Sequence, residues 1–110
     1  MSRYENALYT MVKGLLPYII LAIIEREDEV SVYDALNRIH IEFNVPMSAA
    51  TIYSTIYRLE RQGCIERVEG KPKYRVTDAG LVLLENAEKT MRELFPKIEA
   101  FLEGQLPTHK

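Results

Sequence analysis

The stretch from Ser48 to Gly80 constrains the fold more than any other part of the chain. It opens with apolar residues at helical spacing, between a serine suited to cap a helix, Ser48, and a glycine suited to end one, Gly63. Residues 65–76 then alternate by twos around a Gly-Lys-Pro turn, which is typical of a two-stranded ribbon. Thr77 follows as a cap for another helix. This order of elements predicts a winged helix-turn-helix.

The predicted helix over residues 48–62 carries small hydroxyl side chains first and arginines later on its outer face. Small residues let a helix approach base edges closely, and arginine can bond guanine or clasp phosphate. The alternative is an ordinary amphipathic helix with a solvated face. As a reading helix in the DNA major groove, it would contribute these candidate contacts: Ser48, Thr51, Tyr53, Ser54, Thr55, Arg58 and Arg61.

The ribbon over residues 65–76 carries Lys71, Lys73 and Arg75 at its turn and on its returning strand. A small basic turn can reach the phosphate backbone, where it adds affinity without sequence preference. Lysines are also common on the edges of ordinary hairpins. We predict that this ribbon is a DNA-contacting wing.

The charge distribution favours the DNA-binding alternative, although the whole chain has a net charge of −2. Residues 48–76 hold six basic and three acidic side chains, a balance of +3. Residues 1–47 hold four and seven, and residues 77–110 hold four and six. Attraction to phosphate depends on the surface that faces it. A winged helix that binds a protein instead of DNA is the rival interpretation, and it needs no positive face.

Two sequence blocks resemble the PadR-like transcriptional regulators. The first comprises Thr51-Ile52-Tyr53, Ile56, Arg58-Leu59-Glu60, Gly63 and Ile65, and the second comprises Lys73-Tyr74-Arg75-Val76-Thr77-Asp78-Ala79-Gly80. The likeness covers roughly residues 13 to 85, because Lys13-Gly14-Leu15 and the apolar run after it look like the family's first helix. Ala50 and Ser54 depart from the Gly and Pro that the family often has, which leaves the operator sequence open. The resemblance implies a transcriptional regulator, and a small-molecule effector, as in some members, stays open.

The ends of the chain predict an association surface. Leu84 to Phe101 form an apolar seam with a 3-4-3-4-3 spacing, and the first twelve residues have apolar residues at helical spacing. The alternative is a helix that packs only on its own domain. Pro96 lies off the seam and is expected to kink or split the helix. The predicted dimer contacts are Tyr4, Leu8, Met11, Leu84, Ala87, Met91, Leu94, Ile98 and Phe101.

The sequence offers no constellation for catalysis, metal binding or a cofactor. Cys64 is the only cysteine, so an intrachain disulfide is excluded, and we expect it to be a small buried apolar residue. His40 and His109 are far apart and lack the spacing of a metal site. The apolar run over residues 15–24 is about half as long as a membrane span requires. We therefore expect a cytoplasmic protein that is not an enzyme and has no cofactor.

Together these observations predict a mainly α, α+β winged helix-turn-helix fold. Residues 1–12 would form an N-terminal helical extension in the dimer contact, residues 13–80 a DNA-binding domain with a three-helix core and a two-stranded β-wing, and residues 81–110 a long C-terminal dimerisation helix. The expected partners are double-stranded DNA and a second copy of the chain, and the expected function is repression at a near-palindromic operator.

Overall fold

The structure is a computed structural model that describes the backbone of residues 3–104 and the side chains of residues 7–104. Its elements in chain order are α1 (Arg3–Gly14), α2 (Leu16–Glu27), α3 (Val32–Phe43), α4 (Ala49–Arg61), β1 (Ile65–Arg67), β2 (Tyr74–Val76) and α5 (Asp78–Leu102). The predicted winged-helix fold is confirmed. Helices α2, α3 and α4 form its core, β1 and β2 form the wing, and α5 extends from it.

Helix α2 is the centre of the core. It is apolar on nearly all sides, and Leu16, Ile20, Leu21 and Ile24 are each no more than 1% exposed. Burial of each such side chain contributes about 1.5–3 kcal/mol. Helices α1, α3, α4 and α5 and strand β2 all contact it. A helix without a polar face is stable in water only when neighbours cover it in this way.

A break at Leu15 separates α1 from α2. Helix α1 ends at Gly14, and Pro17 lies in the first turn of α2, where its missing N–H costs no hydrogen bond. Val12 is buried in the core, and Tyr9 packs against it. No helix in the described part of the chain is by itself long and apolar enough to cross a membrane; Ala7–Gly14 and Leu16–Glu27 reach that length and composition only together, as a pair bent by 64°.

Helix α3 begins with a complete capping box. The Ser31 hydroxyl accepts a hydrogen bond from the Asp34 backbone N–H at 3.0 Å, and the Asp34 carboxylate accepts one from the Ser31 backbone N–H at 3.0 Å. Two donors that the helix itself leaves unsatisfied are bonded in this way. The helix ends at Asn44, whose left-handed backbone (φ 55°) turns the chain toward α4.

The wing is bound to the domain by backbone hydrogen bonds along the outer edge of β2. Strands β1 and β2 are antiparallel, with Glu66 opposite Arg75. On the other side of β2, Val30 and Tyr74 exchange backbone hydrogen bonds of 3.0 and 2.8 Å. The predicted two-stranded ribbon therefore acquires a one-residue third strand from the loop between α2 and α3. Cys64, at the entrance to β1, is buried as expected.

The start of α5 lies directly against the end of α4. The Thr77 hydroxyl accepts from the Gly80 N–H at 3.2 Å and donates to the Gly63 carbonyl oxygen at 2.5 Å. Gly63 has φ 78°, a conformation that glycine adopts at little cost. A Cβ atom on Gly80 would overlap the Cys64 carbonyl oxygen and approach Val76 to 2.7 Å. Glycine at position 80 is therefore a packing requirement of this junction.

Helix α5 differs from its prediction in two respects. It runs unbroken from Asp78 to Leu102, so Pro96 does not split it. Leu84 packs against the core of its own domain, and Ala87 is only 8% exposed within one chain. The first turns of α5 lie on α2, so the domain itself buries Ala87, whose assignment to a dimer contact is wrong. Leu84 is covered only in part, and its assignment stays a prediction.

The remaining predicted contact residues are largely uncovered. Leu8, Met11, Leu94, Ile98 and Phe101 are exposed, the last of them by 65%, and Met91 is half-buried. The side chain of Tyr4 lies outside the described residues. Large exposed apolar side chains at regular spacing are typical of an association surface. The prediction that these residues meet a second copy, together with the exposed part of Leu84, therefore remains a prediction.

Candidate nucleic-acid interface

The exposed side of α4 can be read from its helical geometry. Ile52, Thr55, Ile56 and Leu59 are buried, and at 100° per residue they define the side that faces the core. The residues opposite them form the midline of the exposed side; these are Ala50, Ser54, Tyr57 and Arg61, all exposed. The outer face predicted from the sequence, centred near Arg58, is thus rotated toward one edge of the surface that is available.

Thr55 is a correction to the predicted site. The sequence placed it among the DNA contacts, but it is only 5% exposed, and its hydroxyl donates to the Thr51 carbonyl oxygen at 3.0 Å. The hydroxyl of a buried threonine finds a partner on the preceding turn of its own helix. The residue is covered because α4 packs against α2, and Thr55 is withdrawn from the candidate contacts.

Ser48 and Thr51 serve the start of α4. The Ser48 hydroxyl accepts from the Thr51 N–H at 3.1 Å and lies 2.9 Å from the Thr51 hydroxyl oxygen. This cap confirms the predicted beginning of the helix. Ser48 is exposed and Thr51 is half-buried. Both hydroxyls keep lone pairs or rotational freedom for a further bond, but their first role is to hold the helix end.

One edge of the exposed side borders the junction of α1 and α2. A groove of about 430 Å³ runs between them. The polar side chains that line it are Lys13, Thr51, Ser54, Thr55 and Arg58. No carboxylate of the described residues lines this groove. Lys13, which the sequence placed at the start of the DNA-binding domain without a role, is therefore brought next to the candidate reading helix.

The other edge of α4 borders the wing and the start of α3. Tyr53 shares a groove with Tyr33, Arg67 and Pro72. The Tyr53 and Tyr57 rings lie 6.1 Å apart, and Arg67 stacks 5.5 Å from the Tyr74 ring. Tyr33 and Tyr57 were not among the predicted contacts, but Tyr57 is 54% and Tyr33 76% exposed on this side of the molecule.

The cations of the wing are less free than the sequence suggested. Lys71 forms an ion pair with Glu29 on the loop before α3, at 3.2 Å, and Arg75 lies 3.5 Å from Glu66 across the ribbon. Lys73 is half-buried. Lys71 is thus paired within the protein, although its side chain stays partly exposed. Arg58 and Arg61 form no ion pair with the described residues, so α4 carries uncompensated positive charge.

Two ionisable groups near the wing have perturbed pKa values. The hydrogen bond from the Ser31 backbone N–H holds the pKa of Asp34 below its ordinary value, with Lys73 contributing in the same direction. Burial raises the pKa of the Tyr74 hydroxyl. Tyr74 therefore remains a neutral ring beneath the Arg67 guanidinium, a geometry that stabilises the cation against the ring face.

A metal site is not apparent in the part of the chain that the structure describes, where no group of three or more His, Cys, Asp or Glu side chains is arranged to hold an ion. The surface around α4 instead combines a helix of suitable width, hydroxyls, aromatic rings and unpaired arginines. These are the groups that hydrogen-bond to base edges, contact thymine methyl groups and bind phosphate.

Solved structures share this fold. A PadR-like transcriptional regulator from Bacillus cereus matches with a TM-score of 0.70 and 27% identity, over 84% of this chain and 96% of that one. A PadR family transcriptional regulator from Eggerthella lenta matches with a TM-score of 0.70 and 26% identity, over 91% and 96%.

A transcriptional regulator from Clostridium thermocellum has a TM-score of 0.74, over 84% of this chain and 94% of that one, and its 23% identity supports the fold alone. No family model and no curated protein sequence matches the chain. The two sequence blocks, the winged-helix architecture and the two PadR structures, each matched over more than four fifths of this chain, agree with one another. In fold and in these sequence blocks, the chain is similar to the PadR-like transcriptional regulators, and the solved structures support that family.

Proposed function

We propose that the chain is a DNA-binding transcriptional repressor that acts as a homodimer on a near-palindromic operator. The observation that carries this proposal is the exposed side of α4, where Arg58 and Arg61 have no ion pair with the described residues. The neighbouring structures are transcriptional regulators, which supports regulation rather than catalysis.

Helix α4 would enter the major groove with its midline toward the bases. Ser54 is small enough to allow close approach, the Tyr57 ring can contact thymine methyl groups, and Arg61 can bond guanine through two hydrogen bonds. The wing would lie on the phosphate backbone, where Lys71 and Lys73 supply affinity without sequence choice. Tyr53 stands between these two surfaces, beside the Tyr57 ring.

The dimer would bury the exposed part of the seam on α5 together with Leu8 and Met11. Two reading helices related by a two-fold axis would then contact half-sites about one helical turn apart, roughly 34–36 Å. A dimer bound across an operator in this way would act as a repressor by occupying the DNA.

The test is selection of binding sites from a random duplex library and from sheared genomic DNA that co-purifies with the protein. The expected result is an enriched sequence with inverted symmetry, and a dimer on the DNA. Arg61→Ala should lower affinity for that sequence by about 1–3 kcal/mol and relax the preference at one base pair in each half-site. Arg92→Ala on α5 is the matched control and should bind as the wild type does.

Two outcomes would contradict the proposal. An enriched sequence that is bound equally well by Arg61→Ala would remove α4 from base reading. Absence of salt-dependent binding to any duplex, with a protein partner recovered instead, would establish the protein-binding alternative.

A further inference from the structure

The last turn of α1 carries Lys13, a lysine that belongs neither to the core nor to the candidate reading helix α4. Lys13 is exposed, and its ammonium nitrogen lies 5.8 Å from the centre of the Tyr9 ring. It forms no ion pair with the described residues. Because α1 ends at Gly14 and α2 starts at Leu16, the bend between the two helices delivers Lys13 to the groove beside α4.

The groove between Lys13 and Arg58 has the composition of an anion site. Two cations flank it, and the hydroxyl groups of Thr51 and Ser54 lie along its wall. A second groove on the molecule shows the contrast. There Arg38 is paired with both Glu27 and Glu42, so its charge is compensated within the protein. Beside α4 the positive charge is not compensated, and a bound anion would supply the missing partner.

The position of the groove beside α4 indicates which kind of anion it would bind. The major groove of DNA is about 12 Å wide, and a helix with its side chains is about 10–12 Å across, so the edges of a reading helix face the two phosphate backbones. Arg58 lies at the edge of the exposed side of α4, whereas Arg61 lies on its midline. A phosphate that flanks the reading helix would therefore meet Lys13 and Arg58 together.

We propose that the groove formed by the end of α1 and the edge of α4 binds a phosphodiester group of the DNA backbone, with Lys13 and Arg58 as its cationic ligands. This inference rests on the proposed DNA-binding function and deepens it. It assigns a role to the α1–α2 bend, and it assigns Arg58 to the backbone, leaving base reading to the midline of α4.

The experiment measures the affinity of Lys13→Ala for random duplex DNA between 50 and 200 mM salt. One lost phosphate contact per subunit should flatten the slope of log affinity against log salt by about one unit per subunit. The advantage of the wild type should accordingly shrink by about 3.5-fold per subunit over that range, because each contact scales as salt to the power of about 0.9. Specific and random sequences should lose affinity alike.

Three variants complete the design. Arg58→Ala should flatten the salt slope as Lys13→Ala does, and Lys13→Arg should keep the wild-type slope because it keeps the charge. Lys89→Ala removes an exposed lysine from α5 and should change nothing. All four are judged against an unchanged thermal unfolding temperature, which Lys13→Ala should retain because the side chain is exposed.

The outcomes separate this inference from the function on which it rests. Wild-type binding with a slope that Lys13→Ala leaves unchanged overturns the phosphate site and leaves the DNA-binding proposal standing. Failure of the wild type to bind any duplex overturns the proposed function. Altered sequence preference in Arg58→Ala with an unchanged slope would make Arg58 a base reader and overturn its assignment.

Free inorganic phosphate is the alternative ligand for this groove, because it resembles the phosphodiester group of DNA. Inorganic phosphate is titrated into the DNA-free protein while the amide resonances of Thr51 and Ser54 are followed by NMR. We expect no saturation up to 10 mM or so, since a single backbone phosphate contact adds only a few-fold to affinity. Saturation at lower concentration that Lys13→Ala abolishes, without any effect on the DNA salt slope, would make this a site for a free anion and overturn the proposal.

Discussion

The ammonium nitrogen of Lys71 lies 3.2 Å from a carboxylate oxygen of Glu29, which ties the tip of the wing to the loop before α3. The pair is partly exposed, and such pairs contribute about 0–1 kcal/mol. A DNA phosphate could therefore take the place of Glu29 at little cost. In the free protein, the Glu29 carboxylate thus occupies the position beside Lys71 that we propose for a DNA phosphate.

Removal of the Glu29 carboxylate should strengthen DNA binding. In Glu29→Gln the lysine has no competing carboxylate, and one negative charge leaves the DNA-facing side. We expect affinity for any duplex to rise by up to about 5-fold at low salt, the equivalent of about 1 kcal/mol. Fluorescence anisotropy at two salt concentrations measures this. Glu88→Gln removes a comparable pair with Arg92 on α5 and should have no effect; equal affinities of Glu29→Gln and wild type would show that Lys71 does not approach DNA.

The wing itself should supply affinity but no sequence choice. Replacing Lys71 and Lys73 by alanine is expected to weaken binding to specific and random DNA alike. The slope of log affinity against log salt should flatten by roughly one to two units per subunit. If the double variant loses its sequence preference and retains the wild-type slope, the wing reads bases instead of phosphates.

Assembly can be tested at Met91, which is half-buried beside Leu94 and Phe95 on α5. Met91→Lys would place an unpaired charge in the proposed apolar interface, at a cost of several kcal/mol across the two copies. Sedimentation should show a wild-type dimer at micromolar concentration and a monomeric or aggregated variant with much weaker DNA binding. Glu85→Lys, on the opposite side of α5, is the control. A wild type that sediments as a 12.7 kDa monomer would contradict the dimer.

The capping box of α3 predicts a pH dependence of stability. The pKa of Asp34 is lowered in the folded protein, so its carboxylate stabilises the fold above the unfolded pKa of about 3.9 and loses this contribution as pH falls through the folded value. Asp34→Asn should therefore lower the free energy of unfolding at pH 7 by about 0.3–1 kcal/mol. Urea unfolding should show this difference shrinking below about pH 4. A difference that is the same at pH 3 and pH 7 would exclude the carboxylate charge as its cause.

The fold was predictable because its local signals agree with one another. Ser48 and Thr77 cap the helices they were expected to cap, and Gly63 ends α4 with a positive φ. Such signals depend on neighbours in the chain. The sequence left open whether Pro96 kinks or splits the helix. Helix α5 continues through it, because a proline removes only one backbone hydrogen bond and the others remain.

The site was predictable only in part, because it depends on contacts between distant residues. The helical pattern of α4 predicted the right helix but a face rotated toward Arg58, since nothing in residues 48–62 shows that the packing of α4 on α2 covers Thr55. The pairing of Lys71 with Glu29 joins residues 42 positions apart. No pattern in the sequence indicates that Lys13 lies beside α4, because this position depends on the bend between α1 and α2.

The contact of Gly80 with the Cys64 carbonyl and the bond from Thr77 to Gly63 join the start of α5 to the turn that follows α4. Helix α5 has 25 residues and is about 37 Å long, so a tilt of about 5° at its start displaces its far end by about 3 Å. In the proposed dimer, a tilt too small to repack the core would thus be enough to alter the distance between the two candidate reading helices.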